Sequence, residues 1–219
     1  MRIVIGVDGF RAAEVACELV ASRTWPMGTR LTLLGAVAPA LTFGPEPAMA
    51  GDVTSAADIA SLKVVLDERA AALCRAGLEV ETIVDFGRAE DLLIERAVET
   101  TADLIVVGSR RLGPVARAIR GSVSAHLVDH APCPVLVARW PEATRMLLAT
   151  DGTESSGRIP QILASWGSAF RGLPVEILSV ARRDAFVTPW GAGYEGDGER
   201  STDIGLHRMI AEQVAHLGR

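Results

Sequence analysis

Gly121-Ser122-Val123-Ser124 is the stretch of this chain whose residue types and spacing best suit a chemical task. A glycine–serine turn opening a helix directs several unpaired backbone N–H groups outward, and the helix dipole favours an anion beside them. The apolar stripe Val123, Leu127 and Val128 and the stop at Pro132 mark that helix, with Ser122 as its N-cap. Ordinary capping and phosphate binding both account for the pair. Asp8, which ends the apolar run Arg2–Val7 and precedes Gly9, is a second candidate. A carboxylate at a strand end can serve a ligand as a hydrogen-bond acceptor, whereas Asp-Gly by itself is a general turn signal.

Arginines surround the first stretch. Arg110, Arg111, Arg117 and Arg120 could neutralise a phosphate chain, because guanidinium makes bidentate phosphate contacts. They also fit the solvated side of a short amphipathic helix whose apolar side is Leu112, Val115, Ala116 and Ile119. His126 and His130 stand four apart, a spacing able to hold a metal, but no third ligand accompanies them, and surface or capping roles are the simpler reading. Ser122 and Ser124 have no base at motif spacing, Asp151-Gly-Thr-Glu154 does not read as an acid pair, and no Walker lysine follows a glycine loop. The sequence is therefore not expected to be an enzyme.

These residues must be positioned by strands and helices. Leu104–Val107 and Val135–Ala138 are short, rich in Val, Ile and Leu, and do not alternate, as expected of buried strands in a parallel sheet. Arg2–Val7, Thr29–Val37 and Leu78–Val84 are read as further strands. Helices are read at Arg11–Arg23, Thr54–Ala76 and Ala89–Thr100, with Gly77 closing the second. The alternation predicts an α/β fold: an open parallel five-stranded sheet with helices on both faces and ligand chemistry at the carboxyl ends of its strands. Asp8 and Gly108 both fall at such ends. Residues 38–51, rich in Pro, Gly and Ala, are read as a loop.

After Trp140-Pro141 the chain starts over. Arg145-Met-Leu-Leu-Ala-Thr-Asp-Gly152 can be laid on Arg2-Ile-Val-Ile-Gly-Val-Asp-Gly9. A helix over Ser155–Phe170, a strand over Pro174–Val180, a Gly-rich loop over Asp184–Gly198 and a helix over Thr202–Leu217 complete a truncated β-α-β-α repeat. The expected organisation is a domain over 1–139, a linker over 140–144 and a partial second domain over 145–219.

With 49% hydrophobic, 22% charged and 5% aromatic residues, the 219-residue chain has the composition of a folded α/β protein. Its formal charge of −5 gives no electrostatic case for general nucleic-acid binding. No apolar run is long enough to span a bilayer, and the opening MRIVIGV lacks a signal-peptide layout, so a cytoplasmic location is expected. Cys17, Cys74 and Cys133 are scattered and are read as buried small hydrophobes.

Gly108-Ser109-Arg110-Arg111, the nine residues Leu112 to Arg120, then Gly121-Ser122, resembles the Gly-x-x-Gly, nine residues, Gly-Ser signature of the universal stress protein family. His130-Ala-Pro-Cys-Pro-Val-Leu-Val137 and the strand-Asp-Gly opening are also similar to it. The resemblance covers Met1–Arg139 and implies an adenine nucleotide alpha hydrolase-like fold. It further implies ATP or a related adenine nucleotide, with Mg2+, as a regulatory ligand, and slow ATP hydrolysis at most. By this resemblance Asp8 holds the adenosine end, backbone around Val37 lines the base, and Gly108, Gly121, Ser122, Val123 and Ser124 wrap the ribose and phosphates. Arg110 would assist in charge neutralisation. Two positions depart from the pattern: Arg111 replaces the second signature glycine, for which Gly113 can provide a substitute turn, and Phe10 follows Asp-Gly. The resemblance also implies a homodimer through the edge strand 134–138, and a nucleotide-independent oligomeric interaction module is the alternative function.

Overall fold

Alternate residues of β1 (Arg2–Val7) enter opposite layers of the protein, and both sets are buried, which is why the strand reads as an unbroken apolar run. The computed structural model describes residues 1–37, 56–109, 122–150, 156–179, 186–188 and 191–193. The chain divides into two units, Met1–Glu142 and Ala143–Arg219.

In the first unit β1 is joined by β2 (Arg30–Val37), β3 (Glu79–Phe86), β4 (Leu104–Gly108) and β5 (Val135–Ala138) in an all-parallel five-stranded sheet of order β3-β2-β1-β4-β5. Helices α1 (Arg11–Ala21) and α2 (Ala56–Arg75) pack on one face, and α3 (Ala89–Glu99) and α4 (Ser122–His130) on the other. The layers are close. A Cβ on Gly35 would lie 2.9 Å from Leu62 and Leu66 of α2, and one on Gly6 would lie 3.0 Å from Leu93 of α3. The α3–α4 layer is built on Val4, Leu34, Leu93, Ala97, Ile105, Val107 and Leu127.

Arg2 fastens the amino edge of that layer. Its guanidinium donates to the carbonyl of Thr100, the C-cap of α3, at 2.7 Å and to the hydroxyl of Thr101, while its N–H donates to Asp103 Oδ2 at 2.7 Å. A cation at a helix C-terminus also complements the helix dipole.

The five strands lie where the sequence put them, with boundaries displaced by a residue or two. Val128 is a correction: Val123 and Leu127 face the core, whereas Val128 is exposed, because helical spacing aligns residues four apart rather than five. Cys74 is a second correction. It sits on the outer side of α2 and is exposed, while Cys17 is buried and Cys133 half-buried. Trp25 and Trp166 are buried packing residues and Trp140 is exposed; Trp190 lies outside the described residues.

In the second unit β6 (Met146–Thr150) pairs in parallel with β7 (Val175–Ser179). The helix between them is shorter than read from the sequence. A single 3-10 turn at Ser156–Arg158 leads into α5 (Ile159–Ser165), with Pro160 in its first turn, where a missing N–H costs nothing. The stretch read as a Gly-rich loop over Asp184–Gly198 contains two short antiparallel strands, β8 (Phe186–Thr188) and β9 (Gly191–Gly193). The helix read over Thr202–Leu217 lies outside the described residues. Among the described residues no helix is long and apolar enough to cross a membrane.

Candidate functional site

The chain runs outward from β1 to β2 and β3, then returns to place β4 on the other side of β1. At this reversal α1, which follows β1, and α4, which follows β4, pack on opposite faces of the sheet, the arrangement by which open α/β sheets place ligands beyond the carboxyl ends of the strands. The register pairs Ile5 with Val106, which brings Asp8 and Ser109 level at that edge.

Asp8 closes the turn into α1. Its Oδ1 accepts the Phe10 N–H at 3.1 Å, the local bond that makes Asp-Gly a turn signal. Phe10, the N-cap of α1, gives no side-chain cap bond and is exposed, so the departure at this position costs α1 a cap. Gly108 ends β4 under the first turn of α1. A Cβ there would lie 2.0 Å from the Ala12 carbonyl oxygen and 2.8 Å from the Ala13 nitrogen. Only glycine lets α1 cross at this height, so Gly108 has a packing reason of its own, apart from any ligand. The next residue, Ser109, donates its N–H to the Ala138 carbonyl at 2.8 Å and extends the β4–β5 ladder.

Val37 ends β2 and is buried; its carbonyl accepts the Gly87 N–H at 3.0 Å, tying β2 to the turn before α3. A carbonyl keeps a second lone pair when one is used. Because α4 connects two parallel neighbours, β4 and β5, it begins at the carboxyl edge and runs back toward the amino edge. Ser122 is its first helical residue rather than the residue before it. Val123 and Ser124 are half-buried in its first turn, with Val123 against the core. Arg110, Gly113 and Gly121, together with Arg111, Arg117 and Arg120, lie outside the described residues.

The structure thus brings Asp8, Gly108 and the start of α4 to one edge of the sheet, with Val37 at the same edge one strand further along. The two histidines of α4 are engaged with the helix itself: their rings stack at 4.3 Å, and His130 Nδ1 lies 2.9 Å from the His126 carbonyl, capping the helix end. Burial pushes the thiols of Cys17 and Cys133 up to about 11, which disfavours the thiolates that redox chemistry needs.

Sequence reading missed Glu90. It lies in the first turn of α3 and is only 6% exposed. Arg88 Nε donates to its Oε1 at 3.0 Å, and Arg88 Nη2 reaches the same oxygen. Burial alone would raise this carboxyl. A hydrogen bond from its own backbone N–H, those from Arg88, and the charges of Arg88 and His126 outweigh burial and hold it below the ordinary glutamate range. Asp91 beside it lies 3.9 Å from His126 Nε2, so the start of α3 is coupled electrostatically to α4. The available signal was an Arg-x-Glu-Asp run at a helix start, where acidic residues are common for dipole reasons alone.

An open parallel sheet of order β3-β2-β1-β4-β5, covered by helices on both faces, defines the first unit as a doubly wound α/β domain. The model of the universal stress protein family matches residues 1–139, and the chain belongs to that family. A universal stress protein of Thermus aquaticus is 32% identical over 138 residues, which are 63% of this chain and 97% of the relative. One from Staphylococcus aureus strain USA300 is 30% identical over 141 residues, 64% of this chain and 84% of the relative. The solved structure of an Archaeoglobus fulgidus universal stress protein shares the fold, with 24% identity, a TM-score of 0.50, and coverage of 64% of this chain and 93% of that one.

Proposed function

We propose that the first unit binds ATP, with Mg2+, or a related adenine nucleotide in the crevice between the ends of β1 and β4. The nucleotide acts as a regulatory ligand of a cytoplasmic stress-response protein, with no turnover beyond slow hydrolysis. The observation that carries this reading is the meeting of Asp8, Gly108 and the α4 N-terminus at the point where the strand order reverses. Asp8 offers an acceptor for ribose hydroxyls or the adenine amine, backbone at Val37 lines the base, and Gly121, Ser122, Val123 and Ser124 offer donors to phosphate. Arg110 and Gly113 complete the loop on the strength of the sequence. The second unit is a truncated copy of the first.

Titration calorimetry with MgATP tests this. Binding in the micromolar range is expected, weakened at least about tenfold by Asp8→Asn, which keeps the turn acceptor and removes the charge (about 1.4 kcal/mol). A second reading, a nucleotide-independent module that dimerises, is favoured by β5 standing at the sheet edge and by Arg111 in a glycine position. Absence of heat from millimolar MgATP, together with a dimer in sedimentation equilibrium that Val135→Pro converts to monomer, would replace the first reading with this one.

A further inference from the structure

Phe10 breaks two local preferences at one place, and that place is the rim of the proposed nucleotide crevice. It stands at the N-cap of α1, where serine, threonine, aspartate or asparagine would offer the helix an oxygen, and it makes no side-chain cap bond. Its side chain is 61% exposed, so most of its apolar surface is left in water. Departures of this kind from local preference collect at functional sites.

Three contacts fix where this residue stands. The Phe10 N–H is held by Asp8 Oδ1 at 3.1 Å, so the aromatic residue and the carboxylate belong to one turn. The register Val7↔Gly35, carried two residues further, sets Gly9 level with Val37, the residue whose backbone lines the base in the proposed complex. On the other side, the first turn of α1 lies against the end of β4, where a Cβ on Gly108 would meet the Ala12 carbonyl oxygen at 2.0 Å. Phe10, two residues before Ala12, is thereby held beyond the end of β1, the strand flanked by β2 and β4. A Cβ on Gly9 would meet nothing within 4 Å, so the turn borders open space.

We infer that Phe10 is the stacking platform for the base of the bound nucleotide, so that this crevice selects ligands with a flat aromatic base. The inference rests on the nucleotide reading above and adds to it a residue outside the glycine-rich signature. Asp8 and Phe10 divide the adenosine end between them. The carboxylate accepts from a hydroxyl or an amine, backbone at Val37 meets the edge of the base, and the ring covers its face. Stacking of a base on an aromatic side chain is worth about five- to a hundredfold in affinity.

Titration calorimetry of the full chain with MgATP, paired with urea unfolding of the free protein, tests this. Phe10→Ser restores a cap oxygen and removes the ring. It is expected to raise the urea midpoint and to weaken MgATP binding at least about tenfold, effects of opposite sign that a merely structural role would not produce. Phe10→Tyr keeps the ring and is expected to bind within about threefold of the wild type. Phe10→Leu keeps apolar bulk without a ring face and is expected to bind within about threefold of Phe10→Ser. If the wild type binds in the micromolar range and Phe10→Ser or Phe10→Leu binds as tightly, the stacking role is overturned and the nucleotide reading stands. A lower urea midpoint for Phe10→Ser together with weaker binding overturns it as well, since the ring would then belong to the packing of the fold. A wild type that gives no heat with millimolar MgATP removes the nucleotide reading, and this inference with it.

Discussion

Two strand–helix–strand segments of this chain share a register and differ in what lies over them. In β1-α1-β2 both faces are buried, one under α1 and α2 and the other under α3. In β6-α5-β7 Leu148, on the α5 side, is buried, and Leu147 and Leu178, on the other side, are exposed. The same apolar pattern in a strand therefore goes with different burial in the two segments. Burying a leucine side chain is worth about 1.5–3 kcal/mol, so two exposed leucines are a substantial stabilisation left unused.

The largest expected effect comes from the contact that only the first segment makes. Gly108→Val would drive a side chain into the Ala12 carbonyl, since even a Cβ would stand 2.0 Å from it, and backbone cannot swing aside as a rotamer can. Destabilisation above about 3 kcal/mol is expected, read as a lower urea midpoint. Gly157→Ala in the second unit, where a Cβ meets nothing within 4 Å, is expected to stay within about 0.5 kcal/mol of the parent. Equal effects at the two glycines would show that α1 does not cross the end of β4 as described.

The register comparison is sharpened by a matched pair. Leu34→Ala empties a site that is 2% exposed and should cost about 2–5 kcal/mol, whereas Leu178→Ala, at 47% exposure, should cost under about 1 kcal/mol. Urea unfolding of both variants in parallel measures the difference. If Leu178→Ala proved as costly as Leu34→Ala, the face of β6–β7 would already be covered.

Much of this was legible in the sequence because buried parallel strands are continuous apolar runs. Val4, Leu34 and Ile105 announce themselves by residue type, and the alternation of strands with helices fixes the five-stranded sheet. The Asp8 edge was legible for the same reason, since strand ends locate loops. The reason for Gly108 was not: a backbone-to-backbone approach to Ala12 depends on how two elements remote in sequence cross. Glu90 was missed because its burial is set by packing around the start of α3, while its residue type at a helix start is ordinary. Leu147 and Leu178 show the opposite failure. Their pattern reads as core, and only the structure shows that both are exposed.

The smallest effect concerns Glu90, in the first turn of the helix that covers Val4 and Leu34 in the first segment. Its carboxyl is held below the ordinary glutamate range, so folding favours the ionised form. The stabilisation is therefore present above the unfolded-state pKa, near 4.3, and is lost as pH falls through the lower folded value. Glu90→Gln keeps the shape of the side chain and removes the titration. The wild type should exceed the variant in stability at pH 7, and the gap should narrow between about pH 5 and pH 3 and close below that. Arg88 is largely exposed and its pairing is screened by water and salt, so the gap at pH 7 is expected to be modest, under about 1–2 kcal/mol. Urea midpoints at pH 7, 5, 4 and 3 measure it. A gap that widens as the pH falls would mean that burial, and not Arg88 with the backbone N–H, controls this carboxyl, and would undo the account of how the start of α3 is fixed.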